Sequence, residues 1–208
     1  MIRLSVSDLD TYRRYKQNED VTLAECLAQL RKQTAPSPSM LAGRALHSFF
    51  EHADSEGLEA LGIEREGYRF NFDCEVEMEL PAVRELKGDI QIDTPSGSVT
   101  LVGVVDGMDR AIYDYKLTGR FDAERLADSY QWRCYLHMFG ADRFVYRVFV
   151  GQENSAGSGF DGKAFSEWTI REYHEFPVYR YPGMERDVID EVSEFAAFLN
   201  QHMLAEAA

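Results

Sequence analysis

Apolar positions recur at helical spacing in several stretches of the chain and alternate with polar ones in the stretches between. "SVSDLDTYRRYKQ" sets Leu9 and Tyr12 on one face, with Ser5 or Ser7 placed to cap a short helix. "VTLAECLAQLRKQ" repeats the pattern through Leu23, Leu27 and Leu30. The punctuation "TAPSPS" then precedes a third helix over "MLAGRALHSFFEHAD", capped by Ser37 or Ser39. Residues 68–80, "YRFNFDCEVEMEL", alternate as a strand does, and 83–93 is a further candidate. "SVTLVGVVDGMD" and "AIYDYKL" read as the two strands of a hairpin. A helix over about 122–139 ends at Gly140, a natural left-handed terminator. Strands are predicted at "RFVYRVFVG" and "AFSEWTIREYHEF", joined by the Gly/Ser-rich and therefore flexible "GQENSAGSGFDGK". A last helix, from Met184 to about Met203, presents Val188, Val192, Phe195 and Leu199 on one side. This order predicts an α/β fold with a central mixed sheet flanked by helices. Residues 1–208 read as one domain, with 1–36 a helical N-terminal segment.

Composition narrows the class. With 45% hydrophobic and 28% charged residues in 208, the chain can bury a sizeable core and is neither disordered nor fibrous. No apolar run approaches the roughly 20 residues of a membrane span. The N-terminus also lacks the apolar stretch of a secretory signal, so a cytoplasmic protein without membrane partners is expected. Cys26, Cys74 and Cys134 form no CxxC pair, which removes a zinc ribbon or disulfide framework from consideration. The net charge of -14 argues against nonspecific coating of nucleic acid. It leaves room for a local basic track, because a divalent metal beside a phosphate offsets part of an acidic field.

The hairpin "GVVDGMDRAIYDYKL" places acids among strand formers. If its connection is centred on Arg110, Asp106 faces Asp114, and opposed like charges destabilise a sheet unless something positive lies between them. Asp109 fits the turn. Asp114 is flanked by Ile112, Tyr113, Tyr115 and Leu117, where an unpartnered carboxylate is costly. A hard divalent cation is a suitable partner. Lys116, on the same strand face as Asp114, then has a use beside a phosphate.

Gly103-Val-Val-Asp106 followed by Asp114-Tyr-Lys116 resembles the PD-(D/E)XK nuclease superfamily, in the RecB-like branch that includes lambda-type exonucleases. Flanking motifs extend the likeness: Gly43, His47 and Glu51 match GxxxHxxxE, Gln131 and Tyr135 match QxxxY, and Ser5, Ser7, Leu9 and Tyr12 match an SxSxLxxY opening. The resemblance implies a restriction-endonuclease-like core and hydrolysis of DNA phosphodiesters with inversion at phosphorus. It makes His47, Asp106, Asp114 and the Tyr115 carbonyl ligands of Mg²⁺ or Mn²⁺, Lys116 the residue that positions water, and Glu51 a support or second-metal residue. Gln131 and Tyr135 would line the substrate, while Arg44, Arg120, Arg125 and Arg133 are candidates for phosphate contact. With no cysteine after Cys134, the iron-sulfur cluster of some branch members is not expected. Exonuclease action in phage-type recombination or repair, a homo-oligomeric ring and a single-strand annealing partner are further implications. An endonuclease of the same fold and a non-catalytic nucleic-acid-binding module stay open as alternatives.

Overall fold

The computed structural model describes residues 2–53, 62–154, 157–158 and 164–204. The connection read as flexible, residues 151–163, lies partly outside them. Strand β1 (Ile2–Ser5) runs directly into helix α1 (Val6–Gln17), so the N-terminal segment is not wholly helical. Helices α2 (Leu23–Leu30) and α3 (Pro38–His52) precede β2 (Gly62–Arg65), β3 (Tyr68–Phe72), β4 (Val83–Thr94), β5 (Gly97–Met108) and β6 (Ile112–Thr118). Then come α4 (Ala123–Asp128), α5 (Tyr130–Phe139), β7 (Arg143–Glu153), β8 (Gly157–Ser158), β9 (Ala164–Tyr179) and α6 (Met184–Leu199), which a π turn extends over Asn200–Leu204.

The caps follow the sequence. Ser5 Oγ accepts from the Asp8 amide at 3.1 Å, and Ser37 Oγ from the Met40 amide at 3.3 Å with Pro38 in the first turn. Thr22 and Glu25 form a reciprocal capping box. Gly140 closes α5 at φ 65°. Two expectations are corrected. The helix expected over 122–139 is two, because Ser129 turns out of helical geometry and caps α5 by accepting from the Gln131 amide. The strand expected over 68–80 pairs only to Phe72, after which the chain keeps its alternating burial without a strand partner.

The sheet runs β1-β5-β6-β7-β9-β3-β2, with β4 on β5 and β8 on β9 lying off this path. It is mixed: β1–β5, β6–β7 and β3–β9 are parallel, and the other pairs are antiparallel. Helices cover both faces, and β7 is accordingly buried from Phe144 to Gly151 without alternation. One core joins α1, α5 and α6 to Leu101, Val105, Tyr146 and Val148. The other seats α3 through Ala42, Ala45, Leu46 and Phe50 against Tyr115, Phe149 and Trp168. Phe50 stacks on Tyr115 and Phe149 with ring centroids 4.5 and 5.2 Å apart. Truncating it to alanine removes an anchor worth about 3–5 kcal/mol.

Candidate metal and catalytic centre

The hairpin strands β5 and β6 pair about Arg110, Gly107 with Tyr113 and Met108 with Ile112, and then part. That register carries Asp106 and Asp114 opposite each other, but no backbone pair forms there. On the same edge of β5, β1 pairs only with Val99 to Val102. Residues 103–106 therefore have no strand beside them on that edge, and side chains reach the exposed backbone polar groups. Asp106 Oδ2 accepts from the Tyr115 amide at 2.7 Å, and the Tyr135 hydroxyl donates to the Val104 carbonyl at 2.8 Å.

Groups from both faces of the sheet meet at this split. From α3, His47 sets Nδ1 3.2 Å from Asp106 Oδ2, and its Nε2 bonds the Tyr115 carbonyl oxygen. Burial pulls the imidazole pKa down, but the hydrogen bond and charge of Asp106 outweigh it, so the net direction is up. From α5, Gln131 Nε2 donates to Asp114 Oδ1 at 2.6 Å, and Lys116 Nζ stands 2.7 Å from Asp114 Oδ2. The ammonium is at ion-pair distance but off the hydrogen-bonding direction, so this buried oxygen has no directed hydrogen bond. Asp114 is only 4% exposed, and burial raises its pKa against the opposing pull of Lys116. Burial lowers the Lys116 pKa, but the Asp114 carboxylate outweighs it and the net direction is up.

Two motif glycine and tyrosine positions explain each other. A Cβ on Gly103 would run into the Tyr135 ring, with Tyr135 Cζ and Val6 Cγ2 each 3.2 Å away. The bare backbone at Gly103 is therefore what lets Tyr135 lie against β5 and reach Val104. Arg84 Nη1 bonds the carbonyls of Phe50, Glu51 and Ala53 at 3.2, 3.2 and 2.6 Å, which ties the end of the His47 helix to β4.

The remaining candidates separate. Glu51 is exposed in the last turn of α3, 3.7 Å from His52 Nδ1. Arg44 is exposed on α3. Tyr135 is buried, with its hydroxyl engaged by Val104. Arg133 binds the carbonyls of Asp128 and Ser129 at 2.8 and 2.7 Å and so caps α4. Asp109 sits in the turn, its amide donating to the Ala111 carbonyl at 3.1 Å. Among the described residues, no three His, Cys, Asp or Glu side chains stand close enough together to hold a metal by themselves. The backbone carbonyl of Tyr115 lies beside His47 and Asp106, bonded by His47 Nε2.

Two carboxylates of the centre escaped the sequence reading. Asp10 shares the face of α1 that carries Val6 and Arg13, four residues before and three after it, and that spacing was the available signal. Burial pushes its pKa up to about 6, with Lys116 pulling the other way. Glu85 takes φ 50° inside β4, at the place where the ladder skips the pair that would join it to Asp106. Burial raises its carboxyl pKa, followed by the charges of Asp106 and Glu51. Nothing in a glutamate between Arg84 and Leu86 signals that conformation.

A cavity of about 800 Å³ opens beside the centre on the α1 and α5 face. Lys116, Gln131, Tyr146 and Asp10 line it, as do Arg14, Arg120 and Arg125.

No family model and no curated protein matches the chain. Among solved structures it is similar to the crystal structure of SSO0001, with a TM-score of 0.53, 14% identity, and coverage of 97% of this chain and 78% of that one. This is a likeness of fold. It also matches LHK-Exo in complex with dAMP at a TM-score of 0.43 and 14% identity, over 99% of this chain and 94% of that one.

Proposed function

We propose that this chain is a metal-dependent deoxyribonuclease of the PD-(D/E)XK superfamily, RecB-like branch, hydrolysing phosphodiester bonds. One observation carries the reading: residues from three separated motifs meet at the split of one hairpin. His47 lies 3.2 Å from Asp106, while Gln131 and Lys116 lie 2.6 and 2.7 Å from Asp114. Chance DxK matches are common, but they are not expected to come with this set of partners.

The donors suit the ion. Two carboxylates, a backbone carbonyl and an imidazole make an oxygen-rich set of the kind Mg²⁺ and Mn²⁺ take, and the buried Asp114 Oδ2 without a directed hydrogen bond is a ready donor. An ion held by His47, Asp106, Asp114 and the Tyr115 carbonyl would supply Lewis-acid polarisation of the scissile phosphate. The chain's own groups do the rest. The Tyr115 amide fixes Asp106, and Gln131 fixes Asp114. Lys116, kept cationic by Asp114, orients the attacking water and stabilises charge developing on the phosphoryl oxygens. Exonucleolytic action on DNA ends in recombination or repair is the finer form of the proposal.

The test is digestion of end-labelled linear duplex, circular duplex and single-stranded DNA with Mg²⁺ or Mn²⁺. The wild type is expected to cut linear substrates, and Asp114→Ala and Lys116→Ala to lose about 10²-fold or more of the rate with unchanged circular dichroism. Full activity in the double variant overturns the assignment.

A further inference from the structure

Strand β4 forms an edge of the sheet. It pairs with β5 alone, so among the described residues its outer side carries a row of backbone donors and acceptors with no strand beside it. At 12 residues it is far longer than the usual strand of about 5–6, and it contains no proline. Such an edge is a template for another strand. Its two faces differ. Leu86 and Ile90 pack against the core under α1, α5 and α6, and Gly88 lies so close to α5 that a Cβ there would meet the Phe139 ring at 2.5 Å. Lys87, Asp89, Gln91 and Asp93 are exposed on the opposite face. Neither Lys87 nor Asp93 makes an ion pair among the described residues.

We propose that a second copy of this chain covers this edge, β4 pairing antiparallel with β4 about a twofold axis beside Ile90. Charge selects the register. Opposed residues of an antiparallel ladder share a face, so exposed residues meet exposed ones and the axis passes beside a single residue. A centre at Lys87 or Asp89 sets that charge against itself, and one at Gln91 sets Asp89 against Asp93. Centres at Leu86 or Gly88 oppose Lys87 to an acid but pair through Glu85, whose φ of 50° breaks the extended backbone. A centre at Ile92 joins only residues 90–94. With the centre at Ile90, residues 86–94 pair without a break. Lys87 then faces Asp93 twice, Asp89 faces the Gln91 amide twice, and Ile90 meets Ile90 on the helix side. Opposed Cβ atoms lie about 4.5–5.5 Å apart, within ion-pair reach of lysine and aspartate. The net charge of -14 opposes association, but at about 0.15 M salt the Debye length is about 8 Å, which confines the repulsion to groups near the seam. The contact is isologous and closed, and its axis stands perpendicular to the sheet, so two sheets continue as one with both α3 helices on the same side. The proposal does not rest on the nuclease reading.

The test is sedimentation velocity of the whole chain over about a hundredfold range of concentration at about 0.15 M salt. The wild type is expected to pass from 23.8 kDa to twice that mass as concentration rises. Lys87→Glu and Asp93→Lys change the net charge in opposite directions, yet each is expected to weaken the dimer about tenfold or more, because each sets like charges against each other twice. The double variant Lys87→Glu, Asp93→Lys keeps the net charge and is expected to restore the dimer. Asp89→Lys, opposite Gln91, is expected to change the dimer constant by no more than about threefold. Circular dichroism matching the wild type keeps the comparison to folded protein, and all these side chains are exposed. A wild type that stays at 23.8 kDa throughout overturns the proposal and leaves the edge to an extended segment of another protein. Single reversals that dimerise as the wild type does move the contact off β4. Loss of the dimer in Asp89→Lys, without rescue in the double variant, places the centre at Gly88. Either of these results overturns the pairing about Ile90.

Discussion

Replacing Asp10 by asparagine should make the protein more stable, by an amount that depends on pH. Asp10 titrates near 6 in the folded protein against 3.8 in its ordinary environment, because burial beside Asp114 costs its charge more than Lys116 returns. The folded state therefore holds this proton more tightly than the unfolded chain does, and the group's contribution to stability falls as pH rises from about 4 to about 6. At about 1.36 kcal/mol per pH unit, that interval corresponds to roughly 3 kcal/mol of destabilisation once Asp10 is ionised. Solvent reaches part of the side chain, which trims the expected gain for Asp10→Asn to about 1–3 kcal/mol above pH 7. Urea melts of both proteins, in chelator, between about pH 4 and pH 8 check this, as does a rise in Tm of about 2–4 °C per kcal/mol. The two stability curves should converge at the acid end and separate with pH. A constant offset would refute the reasoning, since it would assign the effect to packing.

Gly103→Ala should cost about 1–3 kcal/mol in denaturant melts, because its Cβ collides with Tyr135, and the cost should shrink in a Tyr135→Leu background. Equal costs in the two backgrounds would remove that collision as the cause. His47→Ala should weaken Mn²⁺ binding by calorimetry roughly tenfold or more, and unchanged affinity takes His47 out of the ligand set. Arg84→Met leaves three carbonyls at the end of α3 unpaired, so amide exchange in the last turn of that helix should accelerate about tenfold while the helices on the opposite face keep their protection.

The features legible in the sequence were those whose determinants are local. The caps at Ser5 and Ser37, the stop at Gly140 and the hairpin register about Arg110 each follow from a few adjacent residues. Strand β1 was not legible, since four residues become a strand only by lying parallel to β5, about a hundred positions away. The break at Ser129 is hidden by an apolar pattern that runs on at helical spacing through both α4 and α5. The motif residues of the hairpin and of α5 stood out because acids and amides are unusual among strand and core residues. Asp10 and Glu85 did not, because a helix face and a strand edge are ordinary places for a carboxylate. Only the packing of α1 against the sheet and the turned backbone of Glu85 distinguish them.

The split between β5 and β6 has a mechanical consequence. The groups on either side of it are anchored in different cores: His47 through α3 to the Phe50 and Phe149 cluster, Gln131 and Tyr135 through α5 to the Trp132 and Leu136 cluster. The centre is thus a joint between two separately packed bodies, and its alignment survives only while both hold. On heating, loss of function should follow whichever core loosens first, ahead of the melting of the sheet between them.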